Sequence, residues 1–377
     1  MKKSMVITAI LLFGSSLVSA QTTDSTATRA QDSAKVKTIT YPVPTSDGND
    51  IYPNRTVAKY VNRVNPNAPV KTLKSGLMII GEPGKVRAAE PYGGRSAGEV
   101  EYANSANKYK RIFGDSVNVY CMVIPNAGAF YTPNKLAGSS RNQGNTINRI
   151  FSHLSDSVKA VDIYSILGRH ASEDIYSRTD HHWAPLGAYY AAKKFAAVAK
   201  VPFKNLSHYK KHVIHNYVGT MYMFTKSQEI KNSPEDFIYY TPDSTVKYET
   251  TYINYNTRNG VALSERAPQK GDFFQKGVSG AGCYVVFMGG DAKITQVRTS
   301  TKNGRRLIIF KDSYGNAIPG YLFFSFEEIH VIDCRFFKRN IKKYVKENHI
   351  TDILFANNIM RGVLATTNKA YARFLTQ

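Results

Sequence analysis

The sequence predicts an α/β layered core built on a mostly parallel sheet and carrying a β-rich insertion. Several segments are apolar with few polar interruptions: VNVYCMVIP at 117–125, RLIIFK at 306–311, EIHVID at 328–333 and DILFA at 352–356. Strands read this way when both faces of a parallel sheet are covered. Helix-forming stretches alternate with them, which is the rhythm of strand–helix–strand units. Between about 204 and 282 the chain instead becomes tyrosine-rich and alternating (FIYYTP, VKYETTYINYN), broken by Pro, Asn and Gly. That pattern suits antiparallel hairpins inserted into the core.

The first residues read as an export signal. Lys2 and Lys3 precede an apolar run from Met5 to Leu12, and Val18-Ser19-Ala20 offers the small residues a signal peptidase requires. Gly14, Ser15 and Ser16 interrupt the run, and a helix needs roughly 20 apolar residues to span a bilayer. Residues 1–20 are therefore expected to be removed, leaving a soluble, periplasmic or secreted chain that begins at or near Gln21. Residues 21–50, rich in Thr, Ser, Asp and Ala, have too few large apolar side chains to offset the entropy of ordering and predict a flexible linker. Residues 51–377 predict one domain with its insertion at about 204–282.

Within that domain RTVAKYVNRV, from about Asn54, predicts a short helix, GLMIIG at 76–81 a strand, and Ser96 to Phe113 a helix. The strand at 117–125 ends at Pro125, a helix follows at about 145–158, then a short strand at AVDIY. Ala184 to Lys200 is an apolar helix opening at Pro185, where the missing N–H costs nothing. After the insertion come the strand 306–311, a helix after Ser313, the strand 328–333, a basic helix near 339–348, the strand DILFA and a last helix from Ile359.

Hydrophobic residues at 42% and aromatics at 12% exclude a disordered chain. The formal charge of +22, reduced by Lys2 and Lys3 once they leave with the signal, favours anionic partners. Export turns that expectation from nucleic acid toward acidic polysaccharide or cell-wall polymer, or toward peripheral contact with an anionic membrane face. Cys121, Cys283 and Cys334 lie in apolar runs and are expected in the core, with at most one bridge and no metal-knuckle spacing.

Two segments carry chemistry. The first is Arg178-Thr179-Asp180-His181-His182-Trp183-Ala184-Pro185, and the second is Lys311-Asp312-Ser313-Tyr314-Gly315-Asn316, directly after RLIIF. A serine where a parallel strand turns into a helix stands in the crevice at which open α/β sheets place their sites. Helix-start N–H groups there can meet an oxyanion, but the serine needs a base. His182 offers one, with Asp180 two residues earlier to orient it. In an extended backbone those two share a face and His181 points away. Taken singly, each feature has a bland reading, an Asp cap before Ser313 or buried hydrogen-bonded imidazoles. Asp-His-His also suits a metal, but no third and fourth ligand lies at nearby spacing, so neither metal nor cofactor is expected.

Together the TDHHWAPLGAYYA segment at 179–191, the strand and loop VNVYCMVIPN, and the stretch from about 284 to 335 resemble the DHHW family. They are more distantly similar to SGNH hydrolases and alginate O-acetyltransferase-like envelope proteins. The resemblance implies a three-layer SGNH-like α/β/α fold in which Ser313 is the nucleophile, His182 the general base and Asp180 its orienting carboxylate, with Trp183 walling the site. Gly289, Gly290, Asn126, Asn357 or Asn358 are the oxyanion candidates, and Arg335 is a candidate for steadying substrate charge or for an ordinary surface ion pair. The implied activity is that of an esterase or O-acetyltransferase on an acylated extracytoplasmic glycan. The alternatives are a non-catalytic protein of the same fold that binds an anionic polysaccharide, and a metal-dependent hydrolase centred on His181 and His182.

Overall fold

The computed structural model describes residues 55–138 and 142–377; the expected signal peptide and linker lie outside the described residues. At its centre is a nine-stranded sheet. One part is parallel, in the spatial order Glu328–Asp333, Arg306–Lys311, Asp352–Asn358, Asn118–Ile124, Val158–Val161. The apolar segments read from the sequence supply most of these strands, because alternation gives each face its own packing. Phe310 and Phe355 point to one side, where Tyr109 of the helix Ser96–Phe113 meets them edge-on at 5.6 and 5.2 Å. Tyr371 of the helix Ala365–Phe374 packs on the same two rings. Tyr120 points to the other side, onto Phe195 of the helix Pro185–Ala199. The result is the α/β/α sandwich.

Beyond Glu328–Asp333 the sheet changes direction. Lys293–Thr299 joins it antiparallel, then Tyr248–Arg258, which carries Gln269–Gly271 and Val261–Glu265. The stretch 204–282 therefore divides. Its first part is a separate two-stranded ribbon, Tyr209–Tyr217 with Glu235–Pro242, and its second part widens the main sheet, burying Tyr252, Ile253 and Tyr255 in the core.

Three local expectations give way, the first of them to long-range partners. RTVAKYVNRV is not helical; its N–H groups serve other elements, Val57 donating to Asn148 Oδ1 at 2.6 Å and Ala58 to Ser165 Oγ at 2.7 Å. Tyr60 packs edge-on to Phe130, so the segment lies as a strap across the domain. The strand at AVDIY is Val158–Val161, and Asp162 then caps the helix Ile163–Arg169 by accepting from Ser165 N at 2.9 Å. In place of a helix after Ser313 come two short 3-10 turns, Ser313–Ala317 and Pro319–Leu322. Pro319 has no N–H to return to Gly315, whose carbonyl accepts from Ile318 N instead.

All three cysteines are buried and unpaired. Burial pushes the Cys121 and Cys334 thiols up to about 12, so both behave as small core residues. Among the described residues no helix is long and apolar enough to cross a membrane.

Candidate active site

Ser313 lies two residues past Lys311, the end of the strand Arg306–Lys311, at the carboxyl end of the parallel strands. Arg306–Lys311 is flanked by Glu328–Asp333, the next strand in the chain, and by Asp352–Asn358, which follows later; open α/β sheets place their sites outside the carboxyl ends of such strands, where the connections diverge. Ser313 is half-buried, whereas Asp312, Tyr314, Gly315 and Asn316 around it are buried. Asp312 shapes the turn: Oδ1 accepts from Tyr314 N at 3.1 Å and Oδ2 from Asn358 N at 2.8 Å. A Cβ on Gly315 would stand 2.4 Å from Lys311 Cβ, so the turn is too tight for any other residue. The Ser313 N–H opens the turn and has no acceptor within it.

Residues 178–182 arrive as a run of bends, not an extended strand, before Trp183 bridges to Tyr176. His182 Nδ1 lies 2.8 Å from Asp180 Oδ1 and Nε2 lies 2.9 Å from Ser313 Oγ. Because the bends rotate the backbone, His181 does not point away; its ring lies 3.8 Å from that of His182, tilted by 38°. Asp180 is buried and accepts four hydrogen bonds: His182 N and Nδ1 on one oxygen, Thr220 N at 2.8 Å and Thr220 Oγ1 at 2.7 Å on the other. Burial opposes its ionisation, but the imidazoles of His181 and His182 and these donors outweigh burial and hold the carboxyl well below the usual range. The single hydroxyl proton of Thr220 goes to Asp180, so Thr220 Oγ1 accepts from His181 Nδ1 at 2.6 Å. His182, donating through Nδ1, presents a lone pair at Nε2 to the serine hydroxyl. The pair can take a proton from Ser313 and hold it.

The stretch 204–282 supplies much of this support, which its sequence did not disclose. Thr220 begins the helix Thr220–Thr225, between the ribbon strands. Gly219 before it would place a Cβ 2.5 Å from Asp180 Cβ. Glu235 accepts from Thr179 N and Oγ1, both at 2.7 Å, and from Arg178 N at 2.8 Å. Tyr284 lies flat on His182, with ring centroids 3.9 Å apart and planes 6° apart. Its hydroxyl donates to Tyr314 O at 2.8 Å, tying histidine and serine turn together. Nothing local marks Thr220 or Glu235; only the folded chain brings them here.

The remaining candidates are distributed differently. Trp183 is fully buried and does not wall an opening; its Nε1 donates to Tyr314 O at 2.9 Å and to Tyr284 OH at 3.1 Å, as a buried indole must find acceptors. Asn357 is spent inside the core, accepting from Tyr102 and Tyr371 hydroxyls and donating to Asp312 Oδ2. Asn358 Nδ2 donates to Ile124 O. Asn126 is buried, and among the described residues its Nδ2 meets only the Met360 thioether, at 3.5 Å. Gly289 and Gly290, at φ of 68° and 108°, form the turn that delivers Asp291, and the Gly289 N–H is donated to Val285 O.

Asp291 and Arg335 belong to a charged cluster beneath the serine turn. Lys311 Nζ lies 2.8 Å from Asp291 and 3.0 Å from Asp333. Arg335 reaches both oxygens of Asp333 and, at 2.7 Å, Asp291 Oδ2. Asn316 Nδ2 donates to Asp291 Oδ1 at 2.9 Å. Two cations and two carboxylates thus close on one another, and Arg335 is more than a surface partner.

Asp180, His181 and His182 each bring a ligand atom within 4.8 Å of the others. Both carboxylate oxygens and both Nδ1 atoms are already engaged in the hydrogen bonds above, with which chelation would compete.

A family model described as DHHW protein matches residues 25–332. The chain is 38% identical to a DHHW family protein from Eubacterium siraeum, whose crystal structure superposes with a TM-score of 0.72 over 81% of this chain and 97% of that one. It is also similar to Bacillus cereus PatB1, solved with a sulfonyl adduct, at 15% identity and a TM-score of 0.59 over 80% of this chain and 98% of that one. At that identity the likeness is one of fold, the SGNH-like α/β/α arrangement. No curated protein matches the sequence.

Proposed function

The chain belongs to the DHHW family, and from that premise we propose that it is an exported serine esterase or O-acetyltransferase acting on acyl groups of an extracytoplasmic glycan. The observation that carries the reading is the hydrogen-bonded series from Ser313 Oγ through the His182 ring to Asp180, with links of 2.9 and 2.8 Å. Ser313 Oγ attacks the acyl carbonyl as its proton passes to His182 Nε2, and Asp180 stabilises the imidazolium. The Ser313 N–H meets the oxyanion, and Asn126, whose Nδ2 bonds to no oxygen among the described residues, is the candidate second donor. His182 returns the proton to the departing sugar oxygen, leaving the acyl group on Ser313. Water or a second sugar hydroxyl, deprotonated by the same imidazole, then takes it. The charge of +22 supports an anionic glycan, and residues 1–20 support export.

A sulfonyl fluoride tests the nucleophile whether the acceptor is water or sugar, and 4-nitrophenyl acetate tests acyl transfer. The expected result is chromophore release that survives chelator and stops as one sulfonyl group is recovered on the peptide containing Ser313. No adduct on Ser313, or activity lost to chelator, would overturn the reading.

Thr220 should matter to turnover chiefly through Asp180. Thr220→Val removes one donor to a buried carboxylate and the acceptor of His181, and a hydrogen bond to a charged group is worth about 1.5–3 kcal/mol. We expect kcat on the aryl acetate to fall roughly ten- to hundredfold, with Thr220→Ser restoring most of it; equal rates for wild type and Thr220→Val would remove the assigned role.

A further inference from the structure

We propose that Phe224 is a stacking platform for the saccharide ring, forming a sugar subsite on the leaving-group side of Ser313; this rests on the acyl-transfer reading above. Phe224 lies on the helix Thr220–Thr225 and is 51% exposed. Its ring centroid is 5.7 Å from His181, which is 3.8 Å from His182, which is 3.9 Å from Tyr284. A row of rings thus runs from buried Tyr284, through the imidazole that carries the proton, to a phenyl ring in solvent.

The helix that holds Phe224 is fixed to the site. Thr220 makes its two bonds to Asp180, Met221 N donates to Thr179 O at 3.0 Å, and the Met221 side chain is buried against Leu77, Ile79 and Ile230. An aromatic ring is therefore held at a set place beside the reacting groups and left uncovered.

The chemistry decides which part of a substrate reaches it. The leaving oxygen must take its proton from His182 Nε2, so the alcohol portion of the ester lies on the imidazole side of Ser313 and the acyl methyl lies away from it. A pyranose ring attached at that oxygen extends past His181 toward Phe224. The C–H face of such a ring carries slight positive charge and matches the negative face of the phenyl quadrupole.

The test compares two acetyl esters, glucose pentaacetate with a pyranose ring and vinyl acetate without one. In Phe224→Ala the specificity constant for the pentaacetate is expected to fall roughly three- to tenfold more than that for vinyl acetate, through KM, and Phe224→Tyr is expected to restore it. An equal fall for both esters overturns the platform. If wild type turns over neither ester, the acyl-transfer reading fails by itself, and the platform is decided by saturation-transfer NMR of glucose pentaacetate with Ser313→Ala protein. Ring-proton saturation that disappears in Ser313→Ala/Phe224→Ala upholds it; saturation absent from the first protein, or unchanged in the second, overturns it.

Discussion

Ser313→Ala is expected to abolish aryl acetate turnover, lowering kcat roughly 10⁴- to 10⁶-fold, with His182→Ala close behind and the double variant no worse than either. The non-additivity is the informative part. Ser313 Oγ and His182 Nε2 are hydrogen-bonded at 2.9 Å and have value only as a unit: an imidazole without a hydroxyl has nothing to deprotonate, and a hydroxyl without an imidazole stays protonated. Asp180→Asn should cost less than either, because the backbone N–H of Thr220 still holds the side chain while the amide can no longer stabilise the imidazolium. Single-turnover kinetics on the variants, with far-ultraviolet circular dichroism to establish that each is folded, would check this. Losses that multiply in the double variant would mean that Ser313 and His182 act independently.

Lys311→Met should be the most destabilising change near the site, by about 3–5 kcal/mol in denaturant unfolding, the usual consequence of stranding buried charge. Lys311 is buried between Asp291 and Asp333, and without it only Arg335 faces two carboxylates. Adding Asp291→Asn should recover part of the loss, as a double-mutant cycle would show. The cluster also sets a pH dependence. Burial works against ionised Asp291 and Asp333, but Lys311 and Arg335 outweigh it and hold both carboxyls below their ordinary range. Depressed carboxyls contribute stability that is fully present above about pH 4, where the unfolded groups are ionised, and that is lost as pH falls through the folded-state values. In Lys311→Met this protection weakens, so acid unfolding should begin at higher pH than in wild type.

Much of the fold was legible in the sequence because parallel strands buried on both faces have little choice but to be apolar, and the strands at 306–311 and 328–333 begin and end where the apolar runs do. The residue set Asp180, His182 and Ser313 was legible from local context, two short motifs at the mouths of secondary elements. What was illegible depends on contacts across the chain. Thr220 and Glu235 look like ordinary members of a polar, tyrosine-rich stretch, yet they hold the Asp180 carboxylate and the Thr179 backbone. Tyr284 stacks on a histidine 102 positions earlier, a pairing no spacing rule anticipates. His181 was misdirected because alternation applies to extended backbone, and the segment bends. The strap at 55–63 has helical composition, but its N–H groups have better partners on neighbouring helices.

Trp183 has a practical consequence. It is the only tryptophan in the chain, it is wholly shielded from solvent, and its indole N–H is bonded to the carbonyl of the residue after Ser313. The molecule therefore carries an intrinsic fluorophore wired to the nucleophile's turn, with tyrosines such as Tyr314 and Tyr284 close enough to pass it excitation energy. Emission excited selectively at the indole reports the state of that turn and is nearly silent about the far edges of the sheet, so an optical signal and a whole-chain probe such as circular dichroism read two different parts of the same protein.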